Sequence, residues 1–180
     1  KMDKELIKGL IAEYQQFVKS VSFVKRAVTL SDNFNYVFVG LRRVGKSYLM
    51  YQQIHHLIET GISPEEILFF NFEDERIAGM DTEHLDMIKR CYEEMYSHRP
   101  IFFLDEIQIV PHWEQFVRRL ADQKYRVYVT GSNAKMLSKD IATTLGGRFM
   151  IQYVYPFSFR EYLSSNGVQL DKLWIYKNRS

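Results

Sequence analysis

Gly40-Leu41-Arg42-Arg43-Val44-Gly45-Lys46-Ser47 places two glycines, separated by four residues, directly ahead of a lysine and a serine. Those types in that order are the pattern of a phosphate-binding loop, or P-loop. Glycines let successive backbone N–H groups curl around an anion, a lysine reaches the β and γ oxygens of a nucleoside triphosphate, and a serine hydroxyl ligates magnesium. The whole octet is therefore the candidate ATP-binding segment, with Lys46 a catalytic candidate and Ser47 a ligand for Mg2+. The alternative is a glycine-containing loop that binds nothing. Context separates the two, because a working loop leaves a strand and opens a helix.

A second cluster follows downstream, where Ile101-Phe102-Phe103-Leu104 runs into Asp105 and Glu106. An aspartate at the end of a parallel strand holds magnesium through its water shell, and the glutamate after it orients and deprotonates a water for attack on a γ-phosphate. Acidic residues also end strands simply because the chain reaches solvent. Paired with a phosphate loop, however, Asp105 and Glu106 read as a Walker B element. Val127-Tyr128-Val129 leads into Thr130-Gly131-Ser132-Asn133, where a polar side chain can sense the γ-phosphate. Ser132 is the leading candidate. Thr130 and Asn133 compete with it because spacing does not decide among them, and a plain turn with Asn133 capping the next helix is the bland reading. Arg148, behind Gly146 and Gly147, is a candidate for neutralising transition-state charge, within its own subunit or across an oligomer interface; a surface cation is the even alternative.

The elements that must carry these residues are visible in the hydrophobic pattern. Leu6, Ile7, Leu10, Ile11, Tyr14, Phe17, Val18 and Val21 recur at helical spacing. Tyr36 to Val39 is a short continuous apolar run ending in Gly40, which fits a buried strand. From Lys46 the helical period returns through Met50, Ile54, Leu57 and Ile58, and Gly61 stands where a helix ends. The phosphate loop thus passes its context test. The alternation continues with Ile67 to Phe72 as strand, Thr82 to Tyr96 as helix, Ile101 to Leu104 as strand, Trp113 to Leu120 as helix, and Arg126 to Val129 and Phe149 to Val154 as strands. This predicts an α/β fold of the P-loop NTPase type, a three-layer sandwich of about five mostly parallel strands with helices on both faces. The expected organisation is an N-terminal helix and lead-in over 1–27, a phosphate-loop core over 28–163 and an extension over 164–180, and from Pro156 to Ser180 aromatic and polar residues mix without a clear period.

Composition bounds the rest. With 180 residues the chain is one domain, burying roughly 70% of its unfolded surface and needing neither disulfides nor structural metal. Its single cysteine, Cys91, points to a reduced thiol in a cytoplasmic protein. No apolar run is long enough for a membrane span, and the first residues are amphipathic, unlike a signal peptide. A net charge of +2 does not call for nucleic acid, although Lys25–Arg26, Arg42–Arg43 and Arg118–Arg119 are basic pairs that a DNA-binding face would use. His55 and His56 are adjacent on one helix and point different ways, so they make a poor metal pair, and Trp113 reads as a core anchor.

Taken together, G-L-R-R-V-G-K-S-Y-L from Gly40, N-F-E-D-E-R from Asn71, F-L-D-E-I-Q from Phe103, T-G-S-N from Thr130, G-G-R from Gly146 and Y-P-F-S-F-R-E-Y-L from Tyr155 resemble the P-loop ATPases of the AAA superfamily. The resemblance is to the prokaryotic group whose nucleotide domain precedes a C-terminal domain of unknown function, and it covers about Val28 to Leu163. It implies a five-stranded sheet in which the sensor strand separates the Asp105–Glu106 strand from the P-loop strand. It also implies that Asn71, ending the second strand, can hold the catalytic Glu106 away from water until a partner binds, with a packing or turn role for Asn71 as the alternative. In that group the chain continues into a helical lid, which implies that this chain stops short and turns ATP over slowly by itself. The expected function is Mg-dependent ATP hydrolysis driving conformational change in a larger assembly, with a homo-oligomer or a protein partner. A nucleotide-dependent switch with little turnover is the alternative, and a small-molecule kinase is disfavoured by Glu106 beside Asp105.

Overall fold

The computed structural model of the chain describes residues 2–157 and Leu163. The expected extension over 164–180, and Y-P-F-S-F-R-E-Y-L beyond Phe157 apart from Leu163, lie outside the described residues. The helices are α1 (Lys4–Ser20), α2 (Lys46–Glu59), α3 (Thr82–Met95), α4 (Trp113–Asp122), α5 (Ala134–Leu137) and α6 (Ile141–Thr144). The strands are β1 (Asn35–Val39), β2 (Ile67–Asn71), β3 (Ile101–Asp105), β4 (Val127–Gly131) and β5 (Phe149–Tyr153). They form one sheet in the order β2-β3-β4-β1-β5, and every pairing is parallel. β4 therefore separates β3 from the P-loop strand β1, as the resemblance implied. The α/β three-layer architecture is the expected one.

Central strands that read as unbroken apolar runs need cover on both faces. β3 and β4 are buried at every position, and β1 at all but its first. The Phe103 and Tyr128 rings stack across the β3–β4 pair at 4.5 Å with an interplanar angle of 2°, and Gln53 on α2 donates to the Tyr128 hydroxyl at 3.0 Å. Tyrosine is thus accommodated in the core because its one polar group has a partner. Trp113 is buried in the same cluster, as expected.

The amphipathic helix α1 begins where the Asp3 side chain accepts from the Leu6 N–H at 3.0 Å. Its buried Ile7, Leu10, Ile11, Tyr14 and Val18 join the core, each contributing about 1.5–3 kcal/mol. The helix also closes an edge of the sheet. Beside β2, Gln15 Nε2 donates to the carbonyls of Ile67 at 3.1 Å and Glu65 at 3.3 Å. A strand edge left open would be a template for unwanted pairing.

The helices α5 and α6 are four residues each, about one turn, too short for a 3.6-residue period to show; α5 is the helix that Asn133 was read as capping, and α6 escaped the sequence pattern. Elsewhere the differences are at boundaries: β3 continues through Asp105 and β4 through Gly131, so the polar residues that end them are still paired in the sheet.

Candidate functional site

All strand C-termini in a parallel sheet face one way, and a crevice at that end is where ligands bind in open α/β folds. β1 ends at Val39 and the phosphate loop follows at once. Gly40 passes so close to Val154 that a Cβ there would lie 2.4 Å from the Val154 carbonyl oxygen. Gly45 has φ of 99° and opens α2 from the left-handed region, which favours glycine. The loop borders a cleft of about 620 Å3 lined by Arg42, Arg43, Gly45, Lys46, Ser47, Tyr48, Glu73 and Glu106. That volume suits a nucleotide-sized ligand.

Lys46 is nearly fully buried, and its Nζ donates to the carbonyls of Leu41 at 2.7 Å and Gly40 at 3.0 Å. Glu106 Oε1 lies 3.4 Å from the same ammonium. A cation buried this deeply requires such partners. Ser47 Oγ donates to Asp105 Oδ2 at 2.7 Å, and Thr130 Oγ1 donates to Asp105 Oδ1 at 2.6 Å. Burial pushes the Asp105 carboxyl up to about 6, against the opposing pull of the hydrogen bonds from Thr130 and Ser47. The Thr130 hydroxyl oxygen also accepts the Glu106 N–H at 2.8 Å, so one threonine holds both members of the acidic pair.

Glu106 stands at φ 55°, ψ 46°, just past the strand. This turn out of β conformation directs the carboxylate away from the run of β3, to where Ser132 Oγ donates to Glu106 Oε2 at 2.9 Å and Gln108 Nε2 at 2.6 Å. The three candidates on the segment after β4 thus separate. Thr130 is fully buried against the acidic pair, Ser132 touches Glu106, and Asn133 caps α5 by accepting the Met136 N–H at 2.9 Å.

Asn71 takes the turn role held open as its alternative: its Oδ1 accepts the Glu73 N–H at 3.0 Å, while the side chains on the Glu106 carboxylate are Ser132, Gln108 and Lys46. Two expectations need correction. Arg26, read as half of a surface basic pair, is 8% exposed and lies under the loop. Its guanidinium donates to the Val44 carbonyl and to that of Tyr155 at 3.0 Å and faces the Phe157 ring at 5.3 Å. On the surface, Arg42 is ion-paired with Glu73 and Arg119 with Asp86. Arg148 precedes β5, whose first residue pairs with the first residue of β1, at the end of the sheet opposite the loop. One five-residue strand, about 17 Å, separates it from its own phosphate loop. It bonds Asp122 at 2.5 Å there, so the reading that Arg148 acts within its own subunit does not fit the fold.

Gln108, Glu73 and Tyr48 stand in the quoted motif segments but were assigned no role at the site. The signal for Gln108 was its place in F-L-D-E-I-Q, directly after Asp105-Glu106-Ile107.

The chain matches the model of a family described as AAA domain over residues 32–163. It is 32% identical over 171 residues to an uncharacterised protein of Methanocaldococcus jannaschii, covering 94% of this chain and 37% of that protein. It is 35% identical over 162 residues to an uncharacterised protein of Haemophilus influenzae, covering 85% of this chain and 40% of that one. The chain therefore spans well under half the length of these relatives. Among solved structures it is similar to AMPPCP-bound DnaA from Aquifex aeolicus, with a TM-score of 0.50 and 14% identity across 98% of this chain and 56% of that chain. At that identity the likeness concerns the fold. With the family match spanning most of its length, and with the loop, acidic pair and sheet order in place, the chain belongs to the AAA domain family of P-loop ATPases.

Proposed function

We propose that this chain binds ATP with Mg2+ and hydrolyses the β,γ-phosphoanhydride bond, driving conformational change in a larger assembly. The observation that carries the reading is the 2.7 Å contact between Ser47 Oγ and Asp105 Oδ2, beside a lysine shared by the loop carbonyls and Glu106. A hydroxyl and a carboxylate are the hard oxygen donors that magnesium takes, and it is commonly held by one or two carboxylates together with water and phosphate. Ser47 and Asp105 would hold it, and when bound it neutralises charge on the β and γ oxygens. Lys46 supplies a buried cation to the same phosphates, and the N–H groups opening α2 face the anion. Glu106 accepts the proton of the water that attacks the γ-phosphorus, as the bond from that phosphorus to the bridging oxygen breaks.

Arg148 enters this scheme across an interface, serving the nucleotide of a neighbouring copy, because its own loop lies at the opposite end of the sheet. The free, buried Cys91 supports a cytoplasmic setting, and no described helix is long and apolar enough to cross a membrane.

The test is phosphate release from the intact protein, wild type against Glu106→Gln. The substitution keeps shape and loses the base, so turnover falls by roughly a hundredfold or more while ATP still binds. Equal rates would give the proton to another residue. ATP binding with no turnover in either protein would favour the nucleotide-dependent switch.

A further inference from the structure

We propose that Gln108, together with Ser132, is a positioning residue that selects which oxygen of Glu106 takes the proton; this rests on the hydrolytic reading above. Both side chains donate to the same carboxylate oxygen, Oε2, at 2.6 Å from Gln108 Nε2 and 2.9 Å from Ser132 Oγ. The other oxygen, Oε1, lies 3.4 Å from the Lys46 ammonium, and both residues line the cleft. Two donors on Oε2 fix the carboxylate plane and occupy that oxygen's lone pairs, leaving Oε1 as the acceptor toward the nucleotide.

The fold holds this clamp in place. Gln108 lies in a short turn, Ile107–Ile109, pinned on either side by the fully buried Ile107 and Val110. Its Nε2 also lies 3.5 Å from Ser132 Oγ, closing a triangle of the two donors and their acceptor. Turning the amide over would set its oxygen against the carboxylate. In the present orientation Gln108 Oε1 is buried with no hydrogen-bond partner. A buried carbonyl without a donor works against folding. Space for that oxygen exists because residue 131 is glycine: a Cβ there would lie 2.9 Å from Gln108 Oε1. An amide retained at a cost to folding, with both donors aimed at one oxygen of the base, serves the base and not the core.

The experiment is ATP turnover by the intact protein carrying Gln108→Met, which keeps the side-chain volume and removes the donors, alongside Gln108→Ala and Ser132→Ala. We expect kcat to fall tenfold or more in both Gln108 variants, with KM for ATP within twofold of wild type. The rise in melting temperature on adding ATP and magnesium should be retained, which shows that binding is intact. In a Glu106→Gln background the Gln108 substitutions should cause no further loss, whereas a general packing defect would add to it. Wild-type kcat in Gln108→Met would overturn the proposal. A rise in kcat would also overturn it, showing that the clamp restrains Glu106 instead of aiming it. If the wild-type protein itself releases no phosphate, the hydrolytic reading fails first, and the two failures are thereby distinguished.

Discussion

Replacing Asp105 by Asn should stabilise the ligand-free protein while weakening its response to magnesium and ATP. Asp105 is buried, and its carboxyl is pushed up to about 6 from an ordinary 3.8. At about 1.4 kcal/mol per pH unit, holding that group ionised in the fold costs up to about 3 kcal/mol. The sign follows from proton binding. The folded state holds its proton to higher pH than the unfolded chain, so the cost is absent below pH 3.8, grows as pH rises and is complete above about 6. Asn keeps both hydrogen bonds. Thr130 Oγ1 already accepts from the Glu106 N–H, so its own proton points at residue 105, where an amide carbonyl accepts it as the carboxylate does. The Asn amide in turn donates to Ser47 Oγ, which rotates to accept. Thermal and urea melts at about pH 8 should show Asp105→Asn more stable by up to about 3 kcal/mol, or about 6–12 °C in Tm. At about pH 4 the two proteins should melt together. Adding magnesium and ATP at the higher pH should then stabilise wild type more than the variant. Equal stability at both pH values, or a destabilised variant at the higher one, would falsify the argument that burial strains this carboxylate.

Two further outcomes are expected. Lys46→Ala should lose most of its ATP affinity, because a nearly buried cation between the loop carbonyls and Glu106 disappears; calorimetry reads this directly, and unchanged binding would end the assignment of the loop. Arg148→Ala should melt within about 1 kcal/mol of wild type, since its pair with Asp122 is exposed, yet lose turnover at concentrations where copies associate; normal turnover at every concentration would remove it from catalysis.

The parts of this molecule legible without coordinates are those written in neighbouring residues. The phosphate loop is one octet of neighbouring residues, and within it Lys46 bonds Gly40 and Leu41. The apolar runs of β1 and β3 and the periods of α1 and α2 are likewise local. Their ends were read to within about two residues because burial imposes its period on whichever side chains face the core. Gly61 was legible as a helix stop for the same reason: the bonds that close α2, from Gly61 to Ile58 and Ile62 to Leu57, span only a few residues.

The arrangement around Glu106 was of the other kind. Ser132 lies 26 residues away along the chain, and it reaches the carboxylate because β4 is the strand beside β3. Thr130 meets Asp105 for the same reason, whereas the Asn71 side chain turns to bond its own segment at Glu73. Arg26 bonds the loop 18 residues later and a carbonyl 129 residues later, and nothing in a basic dipeptide announces that its cation will be buried. Arg148 shows the boundary most clearly: its place before a strand was visible, but its distance from the loop follows from the parallel pairing of β5 with β1. Periodicity reports which way a side chain faces relative to its own backbone. Which strands become neighbours, and so which polar groups meet at their ends, is decided when the whole sheet is assembled and buried at once.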